Sequence, residues 1–482
     1  MPSLFAISPE HPTVRPYEQA KCDLIQILLK ELHNNWRSLC LFQVGSSKRN
    51  AVASIVVLVD PRTNADFSNI GLCMLREVRR FLDPNTPLQI EFLPGDASQF
   101  PGDRTSPSSP PSQGSGGGAI ALSQLHLMDG VRRLQCGMSI GIKGIEDGGT
   151  MGGFITFKRE NVTYQGILTN YHVVRPDNPP GTLADRQGIS IDDSNRSKIE
   201  IIYPTKDARK TKQHAQDNYD KSKSDLQFLS ERRDQNVATE REWHRIKNLE
   251  EECEVNQQVL QSVKHLPAKI GEVTFASGTR IMGSTPLDWA FVEITEPDVK
   301  KFFRCDLMPR IPYLQMPATD DEDAISFHRE GQRLNGIQEM KKGDYYVMVG
   351  RSSGIQVGRC NGTLSSQHWR SGEVRYDEDG SAVSRITEEI VVLGQEVRYD
   401  KVVQSPFCHS GDSGAFLINS DGFVCGLLYG YLDAMVQATG YTRAGLVTCM
   451  SDVRSSAQAL TTTRTAWGER GDNHVEIDLP FP

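Results

Sequence analysis

The first 95 residues alternate between helical and strand-like hydrophobic patterns. In residues 17–36, apolar side chains recur every three or four positions, as on one face of a helix. The nearly continuous apolar run AVASIVVLV (51–59) predicts a buried strand, and residues 66–82 predict a second amphipathic helix. The alternating LQIEFL then predicts another strand. Residues 1–95 are therefore predicted to form a small α/β module. No catalytic grouping lies in it, so we interpret it as a binding or regulatory domain.

The pattern changes after this module. Residues 96–118 are rich in Pro, Ser and Gly and predict a linker, because such a segment buries too little apolar surface to fold. Short alternating segments broken by glycine, such as SIGIKG, GGFITF and YQGILTN, follow and are typical of a β-barrel or sandwich. They fill residues 119–204 and 267–463. Residues 464–482 are predicted to be a C-terminal tail.

One charged segment interrupts the strand pattern. Residues 205–266 contain neither Gly nor Pro, and Ile246, Cys253 and Leu260 lie seven apart. This spacing predicts a long helix or a coiled-coil-like helical hairpin with a bend near 234–240. The alternative is a solvated charged helix with only local packing. If the protein has a protein partner, we expect the partner to bind this insertion or the N-terminal module.

Composition narrows the class of protein. The chain of 482 residues is long enough for two or three domains, with 38% hydrophobic and 24% charged residues. Its net charge of −8, without a concentrated basic block, argues against nucleic acid and against an anionic membrane as partners. No apolar run approaches the length of a membrane helix.

The N-terminal segment and the cysteines indicate where in the cell the protein is expected to be. The start, MPSLFAISPEHPTVRP, lacks the basic and apolar regions of a secretory signal. Ten cysteines are scattered without a CxxC pair, which favours free thiols over disulfides or zinc. We therefore expect an intracellular protein, in the cytoplasm, and no metal or organic cofactor is implied.

Candidate chemistry begins with SPFCHSGDSGAFLI, in which Gly411 and Gly414 flank Asp412 and Ser413. Gly, Asp and Ser are turn residues, so a tight turn is one interpretation. The other is a serine nucleophile on a bent loop. That chemistry needs a base and a group that orients the base.

Two segments offer these groups. His172 follows an apolar strand in GILTNYHVV, where a buried structural histidine would look similar. Asp288 lies at the start of the alternating part of STPLDWAFVEI. A charged residue there can also serve only to keep the edge of a sheet from pairing with another chain. The chain order His172, Asp288, Ser413 is that of chymotrypsin-type proteases. Much of the separation between His172 and Asp288 is the helical insertion, which is consistent with an elaborated loop in a compact domain.

At this point the sequence resembles a known family. GDSGA (411–415), LTNYHVV (168–174) and LDWAFVEI (287–294) resemble the catalytic segments of the trypsin/chymotrypsin superfamily. Their form is closer to its intracellular and HtrA-type branches, and to uncharacterised fungal trypsin-like proteins, than to digestive enzymes. The resemblance covers about 120–204 and 267–463. It implies a mainly β, chymotrypsin-like double antiparallel barrel, preceded by the α/β module and interrupted by the helical insertion.

The resemblance also implies an activity, that of a serine endopeptidase acting on a protein or peptide substrate. Ser413 would be the nucleophile, His172 the general base and Asp288 the residue that orients the imidazole. The backbone N–H groups of Gly411 and Ser413 would form the oxyanion hole.

Departures from the family leave a second interpretation open. No cysteines bracket His172, and no activation sequence is present that would free a new N-terminus to pair with Asp412. Unless another group satisfies this carboxylate, the oxyanion loop is not fixed in the resting protein. The alternative is therefore a conditionally active or inactive protease fold that serves as an interaction or sensor protein. An esterase fits less well, because GDSG lacks the G-x-S-x-G elbow.

The resemblance places a specificity pocket around five residues. Phe407 would lie at its base, and its walls would come from Leu428, Tyr429, Gly430 and Gly445. This predicts an apolar, shallow pocket that rejects Lys and Arg, since burying an unpaired cation is costly. In the rival interpretation, a protonated His409 favours an acidic residue.

Overall fold

The protein is described here by a computed structural model. It is mainly β, with several sheets, eight α-helices and one short 3₁₀ helix in the part of the chain that is described. That part comprises residues 3–99, 136–145, 148–159, 162–176, 182–190, 199–203, 205–235, 237–264, 269–301, 303–309, 311, 327, 331–370, 373–383, 385–398, 401–436, 440–461 and 475–480.

The N-terminal region has alternating strands and helices, as its hydrophobic pattern predicts. Its elements are β1 (Ser3–Phe5), α1 (Val14–Glu31), β2 (Trp36–Gly45), a short 3₁₀ helix (Lys48–Asn50), β3 (Val52–Val59), α2 (Phe67–Arg79) and β4 (Gln89–Gln99). Both helices bury their apolar side chains in one cluster with the strands; the cluster includes Leu24, Leu28, Ile55, Val57, Ile70 and Met74.

The first helix ends earlier than its apolar spacing suggests. Helix α1 stops at Glu31, and His33 adopts a positive φ of 52°. Such a backbone conformation ends a right-handed helix. Trp36, which continues the helical spacing in the sequence, instead begins β2 and is fully buried there.

Residues 96–99, assigned to the linker from composition, are the last residues of β4. They pair with a distant strand, and Ala97 is buried by that pairing. Residues 100–118 of the predicted linker lie outside the described residues.

A second sheet follows, in the order β23-β7-β8-β13-β10-β9-β5-β6. Its strands and the neighbouring elements are β5 (Ser139–Ile142), β6 (Gly149–Thr150), β7 (Gly153–Arg159), β8 (Val162–Thr169), α3 (Tyr171–Val174), α4 (Leu183–Gln187), β9 (Glu200–Ile202), α5 (Thr205–Asp234), α6 (Glu240–Lys264), β10 (Gly271–Ala276), β11 (Ile281–Met282), β12 (Thr285–Pro286), β13 (Ala290–Ile294) and α7 (Pro297–Lys300). Strand β23 (Val475–Asp478) comes from the predicted tail. Among the described residues the sheet is open, because its end strands do not pair with each other.

The remaining strands form a sheet that closes on itself. They are β14 (Gly336–Ile337), β15 (Tyr345–Gly350), β16 (Gly354–Cys360), β17 (Ser365–His368), β18 (Ile386–Arg398), β19 (Lys401–Gln404), β20 (Phe416–Asn419), β21 (Phe423–Val436) and β22 (Gly440–Cys449), followed by α8 (Met450–Thr461). Six of them pair in a ring, β15-β16-β18-β22-β21-β20, with β20 returning to β15. One closed ring and one open sheet are therefore present, rather than two closed six-stranded barrels, among the described residues.

The N-terminal strands belong to the same sheet as this ring. Strand β2 pairs with β17, and β4 pairs with β21. A shared apolar cluster fills the space between them, with Phe42, Leu58, Trp369, Tyr429 and Leu446 among its members. The N-terminal region is thus joined to the ring by main-chain hydrogen bonds as well as by packing.

The two long helices α5 and α6 occupy the segment predicted to be helical. They pack against each other: Ala215 and Val259 are buried together, and Ser222 Oγ donates to Glu252 Oε2 at 2.9 Å. Asp207 in the first turn of α5 links the pair to the rest of the molecule, through a 2.5 Å hydrogen bond from Ser139 Oγ and an ion pair with Arg351.

Candidate functional site

Ser413 lies on a tight loop between β19 and β20. Two glycines with positive φ flank it, Gly411 at 97° and Gly414 at 95°. A Cβ at Gly414 would lie 2.2 Å from Thr150 O and 2.4 Å from Thr169 Oγ1. Both the backbone conformation and the close approach therefore require glycine there.

Asp412 is fully buried beneath this loop and is surrounded by donors. Its Oδ1 accepts the backbone N–H groups of Ser352 at 2.8 Å and Ser353 at 3.0 Å. Its Oδ2 accepts the backbone N–H of His409 at 2.7 Å and the hydroxyl of Ser353. Gly350 allows this approach, since a Cβ there would lie 2.3 Å from Asp412 Oδ1. The carboxylate is therefore satisfied in the uncleaved chain, without a free N-terminus.

His172 and Asp288 are brought together by paired strands. His172 lies in the helical turn after β8, Asp288 lies just before β13, and Thr169 is opposite Ala290 in the register of these strands. His172 Nδ1 is 2.5 Å from Asp288 Oδ2, and the His172 backbone N–H donates to Asp288 Oδ1 at 3.0 Å. Asn170 Nδ2 donates to the Asp288 carbonyl at 2.5 Å. The imidazole is thus held through its side chain and its backbone by one carboxylate, itself 1% exposed.

The Ser413 loop and the His172 turn meet across Gly149. A Cβ added there would lie 2.4 Å from the Val173 side chain and 2.9 Å from the Ser413 carbonyl oxygen. That carbonyl also accepts the Thr150 N–H at 2.7 Å. Ser413 Oγ and His172 Nε2 are both buried, and neither has a hydrogen-bond partner among the described residues.

The backbone N–H groups of Gly411 and Ser413 donate to no acceptor within the described part of the chain, whereas those of Asp412, Gly414 and Ala415 do. The loop thus leaves two donors free on either side of Asp412. Thr150 Oγ1 fixes the opposite face of the loop by donating to the Gly411 carbonyl at 2.8 Å.

A second buried carboxylate, Asp185, supports the turn that carries His172. Its Oδ1 accepts the Tyr171 hydroxyl at 3.0 Å, and it binds the Arg175 guanidinium through both oxygens at 2.7 and 2.8 Å. Asp185 also forms a reciprocal N-terminal cap with Thr182. Asp185 was not among the candidate residues named from the sequence, although the spacing of Thr182 and Asp185 is that of a capping box.

The predicted specificity pocket is filled by the protein's own side chains. Phe407 and Leu428 are fully buried, and a Cβ added at Gly445 would lie 2.7 Å from each of them. The other face of the Phe407 ring is covered by Gly358, where a Cβ would also lie 2.7 Å away. Gly445 therefore makes room for Phe407 and Leu428 themselves.

Tyr429 and Gly430 are also engaged within the protein. The Tyr429 side chain is fully buried, and its hydroxyl donates to Glu389 Oε2. Burial raises the pKa of Glu389 to about 7. Gly430 pairs with Gln99 of β4. His409 lies beside the loop, and desolvation lowers its pKa in spite of the nearby Asp412 carboxylate, which weakens it as a cationic ligand.

No group of three or more His, Cys, Asp or Glu side chains suited to a metal ion occurs in the described ranges. Within the same ranges, the model has no helix with the length and apolar character to cross a membrane. All ten cysteines are free thiols.

Comparisons with known proteins add little. No protein-family model matches this chain, and no curated protein matches it. The resemblance to the HtrA-type and fungal branches therefore rests on the motifs alone. One similar solved structure is described as "A glutamic acid specific serine protease utilizes a novel histidine triad in substrate binding". It is 8% identical, the match covers 67% of this chain and 97% of that chain, and the TM-score is 0.29. So weak a likeness does not establish what this chain does.

Proposed function

We propose that this chain is a serine endopeptidase of the trypsin-like class, with a protease domain formed by 119–204 and 267–463. The observation that carries the proposal is the pairing of His172 Nδ1 with Asp288 Oδ2 at 2.5 Å, at a turn that meets the Ser413 loop. With its Nδ1 proton donated to Asp288, the imidazole presents the lone pair of Nε2 as a base.

The chemistry follows from these positions. Ser413 Oγ attacks the scissile carbonyl while His172 Nε2 takes its proton, and the C–N bond then breaks as the imidazolium returns that proton to the leaving amine. Water, activated by His172, hydrolyses the resulting ester and regenerates Ser413. The free N–H groups of Gly411 and Ser413 stabilise the oxyanion in both steps.

Asp412 supports activity in the intact chain. From the sequence alone, this carboxylate has no evident partner, and the oxyanion loop is not expected to be fixed. Its four donors hold the carboxylate below the loop without any cleavage of the chain.

The apolar surroundings of Phe407 and Leu428 favour small or apolar residues before the scissile bond. Because Phe407 and Leu428 already fill the space beside Gly445, only a short side chain would fit there, and an unpaired Lys or Arg would be costly to bury. Cleavage of a peptide library mainly after Lys or Arg would overturn this part of the proposal, and cleavage mainly after Glu would favour His409 as the specificity residue.

A fluorophosphonate probe tests the function directly. We expect it to label the full-length protein, and we expect Ser413→Ala to abolish labelling while circular dichroism stays unchanged. Cys408→Ala, a substitution five residues before Ser413, is a control that leaves the Ser413 hydroxyl in place. Absence of labelling at any pH from 6 to 9 would instead favour the second interpretation, an inactive protease fold that acts as an interaction protein.

A further inference from the structure

The outer edge of β21 beyond the nucleophile loop is occupied by the chain's own strand β4. The last five residues of β4 pair antiparallel with five residues of β21; the pairs are Gln99 with Gly430, Ser98 with Tyr431, Ala97 with Leu432, Asp96 with Asp433 and Gly95 with Ala434. On its other side, the same stretch of β21 pairs with β22. Its main chain is therefore engaged on both sides.

The rest of this edge is also covered. Strand β20 pairs with β21 as far as Leu427. The Leu428 N–H donates to Ala415 O, and its carbonyl accepts the Gly414 N–H, both at 2.9 Å. Between Leu427 and Ala434, Tyr429 alone has no partner on this edge among the described strands and the Ser413 loop. An added peptide strand would find no free run of main-chain groups here.

The direction of β4 matches that of a peptide bound for cleavage. It runs from a position opposite Ala434 to one opposite Gly430, and so towards Leu428, which contacts the loop next to Ser413. An extended peptide that adds to a sheet edge uses the main-chain N–H and C=O groups of that edge. A peptide lying along β21 with its carbonyl directed to Ser413 would need the groups that β4 uses.

The occupied edge is built for close contact. Ala97 is buried in one cluster with Tyr429 and Leu432. Asp96 accepts a hydrogen bond from Arg370 at 2.6 Å. Gly95 lies so close to β21 that a Cβ there would be 2.4 Å from the Asp433 carbonyl oxygen.

We propose that the edge of β21 from Gly430 to Ala434 is the peptide-binding edge of the site and that residues 95–99 are an internal strand which an extended peptide substrate must displace. This inference rests on the proposed protease function. In this proposal the N-terminal region competes with the substrate for the edge of β21. It has no effect on the chemistry at Ser413. Small reagents that need only the nucleophile and the oxyanion donors bypass the competition.

Gly95→Val tests the proposal in the full-length protein. The added side chain clashes with the Asp433 backbone and disfavours the pairing. Because apparent affinity scales with the fraction of molecules whose edge is free, we expect kcat/KM for an extended peptide to rise by about tenfold or more, with the rate of fluorophosphonate labelling changed by less than about twofold.

Gly45→Val is the matched control. A Cβ at Gly45 would lie 2.6 Å from the backbone of Ala51, so the variant strains the same N-terminal region away from β21. We expect it to leave the ratio of peptide hydrolysis to probe labelling unchanged. An equal rise in both glycine variants would mean general loosening and would overturn the proposal.

A cross-linked variant gives the opposite test and does not depend on the folding of Gly95→Val. Ser98 and Tyr431 are directly opposed in the register of the two strands. Opposed residues of antiparallel strands generally lie at a separation that a disulfide can span. In Ser98→Cys with Tyr431→Cys, we expect oxidation to suppress extended-peptide hydrolysis, reduction to restore it, and probe labelling to stay constant. Each single variant serves as a control for the lost side chain.

The outcomes separate the two proposals. Probe labelling with the same peptide rates in the locked, reduced and Gly95→Val proteins would overturn the internal-strand proposal and leave the protease intact. Failure of every variant to label would overturn the protease itself.

Discussion

The two halves of the candidate site are held in different ways. On the His172 side, side-chain carboxylates do the fixing: Asp288 binds the imidazole, and Asp185 binds the residues on either side of it. This half belongs to an open sheet. On the Ser413 side, Asp412 binds mostly backbone N–H groups, and the loop is part of a closed ring of strands.

This difference has a physical consequence. A carboxylate that binds one side chain sets the orientation and proton position of a single ring, so in the proposed protease its loss would change catalysis more than folding. A carboxylate that binds backbone donors sets the course of the chain, so its loss changes geometry and stability together. Substitutions on the two sides should therefore give different combinations of lost activity and lost stability.

The largest effect is expected from Asp288→Asn. An amide in place of the carboxylate favours the wrong imidazole tautomer, and turnover should fall by about ten-thousand-fold with little change in thermal unfolding. Peptide hydrolysis and calorimetry check the two halves of this statement. Asp298→Asn, at an exposed acid on the nearby helix α7, is the control, and a loss of only a few-fold in Asp288→Asn would mean that another acid orients His172.

Asp412→Asn should come next. The amide keeps one acceptor but turns an NH₂ group towards backbone donors, so the free N–H groups of Gly411 and Ser413 lose their alignment. We expect probe labelling to slow by about a hundredfold, and the free energy of unfolding in urea to fall as well. Ser353→Ala removes a single donor to the carboxylate and should lie between wild type and Asp412→Asn. Full labelling in both variants would contradict the role given to Asp412.

Asp185→Asn should have a smaller effect, because Asp185 positions His172 only through its neighbours. We expect kcat to fall by about tenfold with KM unchanged, since substrate contacts stay intact. Tyr171→Phe removes one of the same hydrogen bonds and should cost less. A rise in KM with constant kcat would show that Asp185 does not act on the catalytic base.

The last prediction concerns the pH dependence of stability and leaves activity aside. Burial raises the pKa of Glu389, in the Ser413 half, and of Asp306, in the His172 half, each to about 7. Both groups hold a proton in the folded state that the unfolded chain has already released. The free energy of unfolding should therefore fall as pH rises from about 4.5 to 7, by at most about 1.4 kcal/mol per pH unit for each group.

Glu389→Gln keeps a hydrogen-bonding side chain and should remove about half of that slope in urea titrations. Glu476→Gln, at an exposed carboxylate, should leave it unchanged. An undiminished slope in Glu389→Gln would show that Glu389 ionises normally.

Local pattern predicted much of the N-terminal region and the insertion. The apolar runs predicted β3 and α2 to within a few residues. The segment free of Gly and Pro predicted the helices α5 and α6. The end of α1 was missed, because the spacing of Trp36 fits a helix until the positive φ at His33 interrupts it. Composition placed residues 96–99 in a linker, because the apolar partner of Ala97 is more than 300 residues away.

The sequence by itself determined the residues that chemistry needs: a serine between glycines, a histidine after a strand, an acid before another, in a recognisable order. These are local choices, and a short motif records them. Tertiary structure alone decided that Asp412 has its donors, that Asp185 supports the histidine turn, that Phe407 fills the space beside Gly445, and that β4 covers the edge of β21. Each depends on groups distant in the chain that long-range strand pairing brings within a few ångströms, and no local pattern encodes such a meeting.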